Sequence, residues 1–130
     1  MTESEGRRRL SGAQIVVEYL VRQGVPIVAG TDGAGIELVR EIEIYTEAGM
    51  TYGEAIAAAT IVPAKLVGKD KETGSIKVGK AADLFLVEGD PSKQIADLRQ
   101  TRIVMMDGKL LDADALRTAA GFSGRPKTVH

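Results

Sequence analysis

The side chain with the clearest chemical potential in this sequence is that of Asp32. It lies two residues beyond the apolar run Val25-Pro-Ile-Val-Ala-Gly30, in the glycine-rich turn Thr31-Asp-Gly-Ala-Gly35. In parallel α/β folds, ligands bind at the carboxyl ends of strands, where loops vary without disturbing the sheet. A carboxylate at such a place can ligate a cation or act as a general base. On spacing alone, the alternative that Asp32 only caps the following helix or stabilises the turn stays open.

The glycines of the same turn raise a second possibility, a phosphate or nucleotide site. A helix N-terminus that follows a glycine turn attracts anions. Gly30, Gly33 and Gly35 have the spacing G-x-x-G-x-G, however, which is neither the dinucleotide fingerprint nor a P-loop, and no Lys-Ser or Lys-Thr pair follows. This spacing disfavours nucleotide binding.

Histidine and cysteine usage excludes several other chemistries. The sequence has no cysteine, and its one histidine is the last residue, His130. A disulfide framework, a thiol nucleophile and a thiolate metal site are therefore excluded. A zinc site with two histidines and an internal Ser-His-Asp triad are excluded as well.

The elements that must position Asp32 are predicted from local signals. The pattern Ser11-Gly-Ala-Gln14 is a capping box, and apolar residues at helical spacing follow it up to Gly24. The run Val25–Gly30 predicts a strand buried on both faces, with Pro26 at its first position. The residues after the turn predict an amphipathic helix, with Leu38, Ile42 and Tyr45 on its apolar stripe and Gly49 at its end. Its glutamates, Glu37, Glu41, Glu43 and Glu47, are interpreted as a solvated face.

Two more short helices and a β block complete the pattern. Thr51-Tyr-Gly-Glu54 is a second capping box, and Pro63 fits the first turn of a helix that ends at Gly68. Strands are predicted for 76–78, 83–87 and 102–106 and for the run that follows Asp107-Gly108, because Asp-Gly suits a type I′ hairpin turn.

Length and composition describe one soluble domain. The chain has 130 residues, 44% of them hydrophobic and 27% charged, with a net charge of −1. A balanced charge provides no general field for nucleic acid or anionic membranes, and Arg7-Arg8-Arg9 is interpreted as part of a solvated tail. No apolar run approaches the ~20 residues that span a bilayer, and no signal peptide is visible. We therefore expect a cytoplasmic protein that binds neither nucleic acid nor membranes.

Several linked segments resemble the C-terminal part of a metal-dependent amidohydrolase. They are Val25–Asp32, Arg40–Thr51, Glu54–Thr60, Gly74–Val87 and Arg102–Gly108, in the family's order. The resemblance extends from about Gln14 to Leu111 and is nearest to the imidazolonepropionase-like and Xaa-Pro-dipeptidase-like branch.

The resemblance implies an α/β fold: the C-terminal fragment of a (β/α)₈ barrel, with its last strand and closing helices, plus part of a small β-sandwich. Val25–Gly30 would be the eighth barrel strand, and Asp83 would have a structural role in a turn or strand start. The implied organisation is a flexible tail (1–10), a partial barrel segment (11–70), a sandwich segment (71–112) and a C-terminal tail (113–130).

The resemblance assigns Asp32 two roles, as a metal ligand and as the catalytic acceptor of a proton from the nucleophilic water. Zinc is the metal it favours. A catalytic zinc needs about three protein ligands, and the family's histidine ligands have no counterpart in this sequence. A complete barrel also takes about 250 residues. We therefore expect this chain to bind no metal and to hydrolyse no amide by itself.

Two kinds of partner follow from this incompleteness. The first is a missing N-terminal barrel portion, if the chain is a truncated product, an expressed segment or half of a split enzyme. The second is another copy of the chain, because an unpaired strand edge and apolar helix faces favour self-association. On the second hypothesis, the chain is a non-catalytic, homo-oligomeric interaction module derived from the family.

Overall fold

The first part of the molecule is helical. The computed structural model describes residues 11–33 and 37–125; the tail at 1–10, Gly35 and the last five residues with His130 lie outside this description. The helices are α1 (Gly12–Arg22), α2 (Leu38–Glu47), α3 (Tyr52–Ala58) and α4 (Ile61–Leu66). These are the four helices that the sequence patterns predict.

Both predicted capping boxes are confirmed. Ser11 Oγ accepts from the backbone N–H of Gln14 at 3.3 Å, and the Gln14 side chain accepts from the N–H of Ser11 at 2.7 Å. In the same way, Thr51 and Glu54 bond reciprocally at 3.2 and 2.8 Å. Each box satisfies backbone donors that the first helical turn leaves free, so α1 and α3 begin where the sequence predicts.

The core lies between α2, α3 and a 3₁₀-helix that follows later in the chain. Half-buried side chains of Ile27 and Ala29 pack against this core, so the segment that leads to Asp32 is anchored on it. The buried members of the core are Ile42, Tyr45, Ala55, Ala58, Ile95 and Leu98.

The second part of the molecule contains a three-stranded antiparallel sheet in the order β1-β2-β3. The strands are β1 (Leu84–Val87), β2 (Thr101–Met106) and β3 (Lys109–Asp112). β2 and β3 form the predicted hairpin, because Asp107 and Gly108 both have positive φ, 50° and 73°, as a type I′ turn requires.

The hairpin turn is tied to the start of β1 by Asp83. Its carboxylate accepts a hydrogen bond from the backbone N–H of Asp107 at 2.7 Å. The structural role at a strand start that the resemblance implies for Asp83 agrees with this contact.

Two predicted strands are not strands in this structure. Among the described residues, Val25–Gly30 and the segment 76–78 pair with no strand. A strand exists only with a hydrogen-bonded neighbour, and the apolar run supplies no such neighbour by itself. Ile27 and Ala29 are instead half-buried against helices, so the prediction of a strand buried on both faces was wrong for this chain.

Two helical elements were not predicted. The 3₁₀-helix spans Ile95–Arg99, and α5 spans Ala113–Ala119, inside the segment that we expected to be a tail. The side chain of Asp112 accepts from the N–H of Ala115 at 2.8 Å and so caps α5. The Asp-Ala-Asp-Ala-Leu pattern carries this cap, followed by good helix formers, and could have revealed the helix.

The helices are short. Within residues 11–33 and 37–125, no helix has the length and apolar character that a membrane crossing requires.

Candidate functional site

Asp32 is exposed at the end of the segment that α1 leads into. No hydrogen bond or ion pair joins its carboxylate to another described residue. The N-cap of α2 is Glu37, five residues further on, and Glu37 makes no side-chain capping bond. Among the described residues, Asp32 therefore does not cap α2. Residues 34–36 lie outside the description, so the alternative that Asp32 stabilises the turn stays a prediction.

The segment before Asp32 is held by the helices. The backbone N–H of Val25 donates to the carbonyl of Leu20 at 3.1 Å, at the end of α1. Four residues later, the N–H of Ala29 donates to the carbonyl of Ala58 at 2.8 Å, near the end of α3. These two backbone hydrogen bonds attach the segment to α1 and α3 and not to a sheet.

Tyr45 on α2 provides a third contact that holds the segment before Asp32. The sequence predicts only that this residue lies on the apolar stripe of the helix. Its hydroxyl lies 2.6 Å from a carboxylate oxygen of Glu41 and 3.3 Å from the carbonyl oxygen of Val28. The ring is almost fully buried, with 3% of its surface exposed. Burial, and then the hydrogen bond to Glu41, raise the pKa of the Tyr45 hydroxyl well above its ordinary value, so it remains a donor.

The glycine turn is a poor anion site in this structure. The carboxylate of Glu37 lies so close to Gly33 that a Cβ on this glycine would clash with it. This negative charge lies beside Gly33 and disfavours an anion there. Gly35, the third glycine of the pattern, lies outside the described residues.

The acidic face of α2 is partly an ion network rather than a purely solvated face. Glu43 pairs with Arg40 at 3.3 Å and with Arg99 at 3.0 Å, and Arg40 also pairs with Glu47 at 2.7 Å. The hydrogen bond to Glu47 is the main cause of the raised pKa of Arg40. Because Arg99 belongs to the 3₁₀-helix, the network joins α2 to the second part of the molecule.

The described residues do not fit a complete metal centre. Within the described ranges, no three side chains of His, Cys, Asp or Glu are grouped so that they could hold a metal ion. A catalytic zinc takes about three protein ligands, and Asp32 supplies one carboxylate at most. A metal bound through Asp32 therefore needs ligands from outside this set of residues.

Comparison with known proteins connects this arrangement to a family. A model of the amidohydrolase family matches residues 5–111, which include Asp32, β1, β2 and all of β3 except Asp112. A 5′-deoxyadenosine deaminase from Methanobrevibacter smithii is 27% identical over 106 residues, covering 72% of this chain and 24% of that protein. An imidazolonepropionase from Syntrophobacter fumaroxidans is 34% identical over 89 residues, covering 64% of this chain and 20% of that protein.

A solved structure gives the same result. The crystal structure of a Xaa-Pro dipeptidase with bound methionine in the active site matches with a TM-score of 0.73 and 33% identity, over 77% of this chain and 25% of that one. The chain thus spans about a quarter of the length of the relatives it matches. Members of this family are generally metal-dependent hydrolases. The matched residues cover most of the sequence, and the resemblance found in the motifs is confirmed: this chain belongs to the amidohydrolase family.

Proposed function

We propose that this chain is the C-terminal part of a metal-dependent amidohydrolase that hydrolyses a C–N bond, and that it is inactive by itself. The observation that carries the proposal is the position of Asp32. Its exposed carboxylate has no partner among the described residues, and it stands at the end of a segment that helices hold in place. A carboxylate so placed is suited to a site completed from elsewhere.

In this proposal, Val25–Gly30 becomes the last strand of a barrel when neighbouring strands are present, and the strands β1–β3 are part of a small β-sandwich. The segment pairs with no strand among the described residues, and only some of its backbone groups bond to the helices. Its other backbone groups would serve the pairing with neighbouring strands. The sheet exposes large apolar side chains such as Phe85, at 52%, and Leu110, at 66%. Such exposed apolar surfaces support the proposal that another part of the sandwich covers this sheet in the complete protein.

The chemical contribution of this chain centres on Asp32. In the complete site its carboxylate would hold the proton that the attacking water gives up, which is the work of a general base. The metal, zinc in our proposal, would supply the activation of that water. Since Asp32 alone does not hold a metal, this contribution depends on residues of the missing portion.

The substrate that we propose for the complete protein is an Xaa-Pro dipeptide. The support is the structural match with a Xaa-Pro dipeptidase. The relatives that are named as a deaminase and as an imidazolonepropionase keep other C–N bonds open as targets.

A fusion protein tests the proposal. The N-terminal three quarters of the matched Xaa-Pro dipeptidase would be joined to this chain at Gln14, and methionyl-proline hydrolysis and zinc content would be measured. We expect the fusion to hydrolyse the dipeptide, whereas this chain alone and the N-terminal portion alone do not. Asp32→Asn in the fusion should abolish hydrolysis. Equal rates for the fusion with and without this substitution would contradict the proposal.

A second candidate function is self-association of a non-catalytic module, which the outer face of α1 favours. Ile15, Val16 and Tyr19 are between 55% and 62% exposed on that helix. Exposed apolar faces of this kind are typical of interaction surfaces. Sedimentation of the purified chain at micromolar concentration tests it: a dimer or larger oligomer is expected, and a monomer at all concentrations would exclude it.

A further inference from the structure

One peptide unit in the segment before Asp32 is held from two sides. The carbonyl of Val28 and the N–H of Ala29 belong to the same peptide bond. The carbonyl contacts the hydroxyl of Tyr45 on α2 at 3.3 Å, and the N–H donates to the carbonyl of Ala58 on α3 at 2.8 Å.

The geometry of a trans peptide makes this arrangement a strong constraint. The C=O and N–H groups of one trans unit point in opposite directions within a rigid plane. The described residues contain no cis bond, so bonding both groups fixes the orientation of this plane between two helices. Asp32 is three residues beyond Ala29, and Gly30 is one of the two residues between them. The fixed plane is therefore a close anchor for the backbone that carries the carboxylate.

We propose that Tyr45 is a positioning residue for Asp32. Its hydroxyl helps to fix the Val28–Ala29 peptide unit, and the backbone leads from this unit to Asp32. This inference rests on the proposed function only for its catalytic consequence. The structural consequence, a peptide unit that loosens when the hydroxyl is removed, holds for the chain whatever it does.

The proton of Tyr45 has two acceptors, and their distances rank them. A hydroxyl has one proton to donate. The Glu41 carboxylate, at 2.6 Å, takes the larger share, and the Val28 carbonyl, at 3.3 Å, takes the smaller. Removing the Glu41 carboxylate should therefore pass the donation to Val28 and hold the peptide unit at least as firmly. Glu41→Ala and Tyr45→Phe thus have opposite expected effects on the same bond.

The first experiment measures amide hydrogen exchange at Ala29 in the chain as it is. Tyr45→Phe keeps the buried ring and removes only the hydroxyl. We expect about twofold faster exchange at Ala29, after correction for any change in global stability, as the loss of a weak hydrogen bond implies. Glu41→Ala should not accelerate it. Tyr52→Phe is the matched control, because Tyr52 packs against the same core and its hydroxyl makes no hydrogen bond to a described residue. An unchanged Ala29 rate in Tyr45→Phe would overturn the inference.

The second experiment uses the fusion with the dipeptidase portion and separates kcat from KM. Tyr45→Phe should lower kcat for methionyl-proline by about tenfold and leave KM unchanged, because misplacing a reacting group affects the chemical step. Tyr52→Phe should change neither. A faster Ala29 exchange with an unchanged kcat would overturn the positioning role. Hydrolysis that persists after Asp32→Asn would instead refute the proposed function and leave the exchange result intact.

Discussion

The helical part of the molecule, residues 11–70, and the β part, residues 71–125, are stabilised in different ways. The helical part surrounds a core in which Ile42 and Tyr45 are 5% and 3% exposed. The β part contributes Ile95 and Leu98 to that same core, but its sheet leaves large apolar side chains in solvent. Although α5 contacts β2 and β3, the described residues cover the sheet only in part.

In the β part, side-chain hydrogen bonds to the backbone, here called polar anchors, contribute more to stability than they do in the helical part. The ammonium group of Lys80 bonds the carbonyls of Asp70 and Thr73 and the hydroxyl of Ser75. The carboxylate of Asp97 accepts from the backbone N–H of Asp90 at 2.9 Å. Apolar burial thus specifies the helical part, whereas side-chain bonds to the backbone specify the loops around the sheet.

The largest expected effect tests this difference with one substitution made in both parts. Ile42→Ala removes a buried side chain and should lower the free energy of unfolding by about 3 kcal/mol, since it leaves a cavity in the core. Ile76→Ala removes a side chain that is 87% exposed and should change it by less than about 0.5 kcal/mol. Urea denaturation of both variants gives the two values. Similar losses of unfolding free energy for the two variants would show that apolar packing stabilises both parts equally.

A slightly smaller effect is expected where the two parts meet, at Gly74. This residue has a φ of +83°, and a Cβ on it would lie 2.7 Å from the Cβ of Ala64 on α4. Gly74→Ala should cost about 2–3 kcal/mol, from left-handed strain plus overpacking. Gly79→Ala is the control, because its φ is +91° but the space around it is open; strain alone should cost about 1 kcal/mol. Equal losses in urea titrations would mean that the contact with α4 is not tight.

Lys80 offers the next test, directed at the polar anchors. Lys80→Met keeps the aliphatic stem and removes three charged hydrogen bonds, so we expect a loss of about 2 kcal/mol. Lys77→Met is its control, since the side chain of Lys77 is exposed and makes no bond to a described residue, while its backbone carbonyl bond to the N–H of Lys80 is kept. Thermal or urea unfolding measures both. If Lys80→Met loses no more stability than the control, the polar anchors do not stabilise the β part.

The two parts also differed in how far the sequence predicted them. The helices α1 and α3 were predicted because their capping boxes act within four residues, and the β2–β3 hairpin because Asp107-Gly108 specifies its own turn. Val25–Gly30 was wrongly predicted as a strand, because strand pairing depends on residues far away in the chain. The helix α5 was not predicted, although Asp112 provides a local capping signal at its start.

Some features of the candidate site can likewise be predicted from the sequence, and others cannot. The position of Asp32 after an apolar run is visible in the sequence, and so is the family resemblance that gives it a role. The contact between Tyr45 and Val28 is not, because it joins residues 17 positions apart through the packing of α2 on the segment. A tyrosine on an apolar stripe looks the same in the sequence whether or not its hydroxyl finds a backbone partner.

The smallest expected effect is a pH dependence that differs between the two parts. Backbone and side-chain hydrogen bonds from Thr51 lower the pKa of Glu54 in the helical part, below its ordinary value of 4.5. In the β part, hydrogen bonds from Ser92 and then Lys93 lower the pKa of Asp90 below 3.8. A depressed pKa in the folded state means that the contribution is present above the ordinary value and is lost as the pH falls through the folded one.

Stability should therefore begin to fall through Glu54 below about pH 4.5 and through Asp90 only below about pH 3.8. Glu54 is exposed and the side chain of Asp90 is 47% exposed, so both contributions are small and weaken with salt. Glu54→Gln should keep the capping box, as Gln14 does in α1, while it flattens the decline that begins near pH 4.5. Asp90→Asn should leave the profile above about pH 3.8 unchanged and flatten the decline below it. Urea midpoints measured from pH 6 to 3 would separate the two, and identical profiles for both variants would show that acid does not distinguish the helical part from the β part.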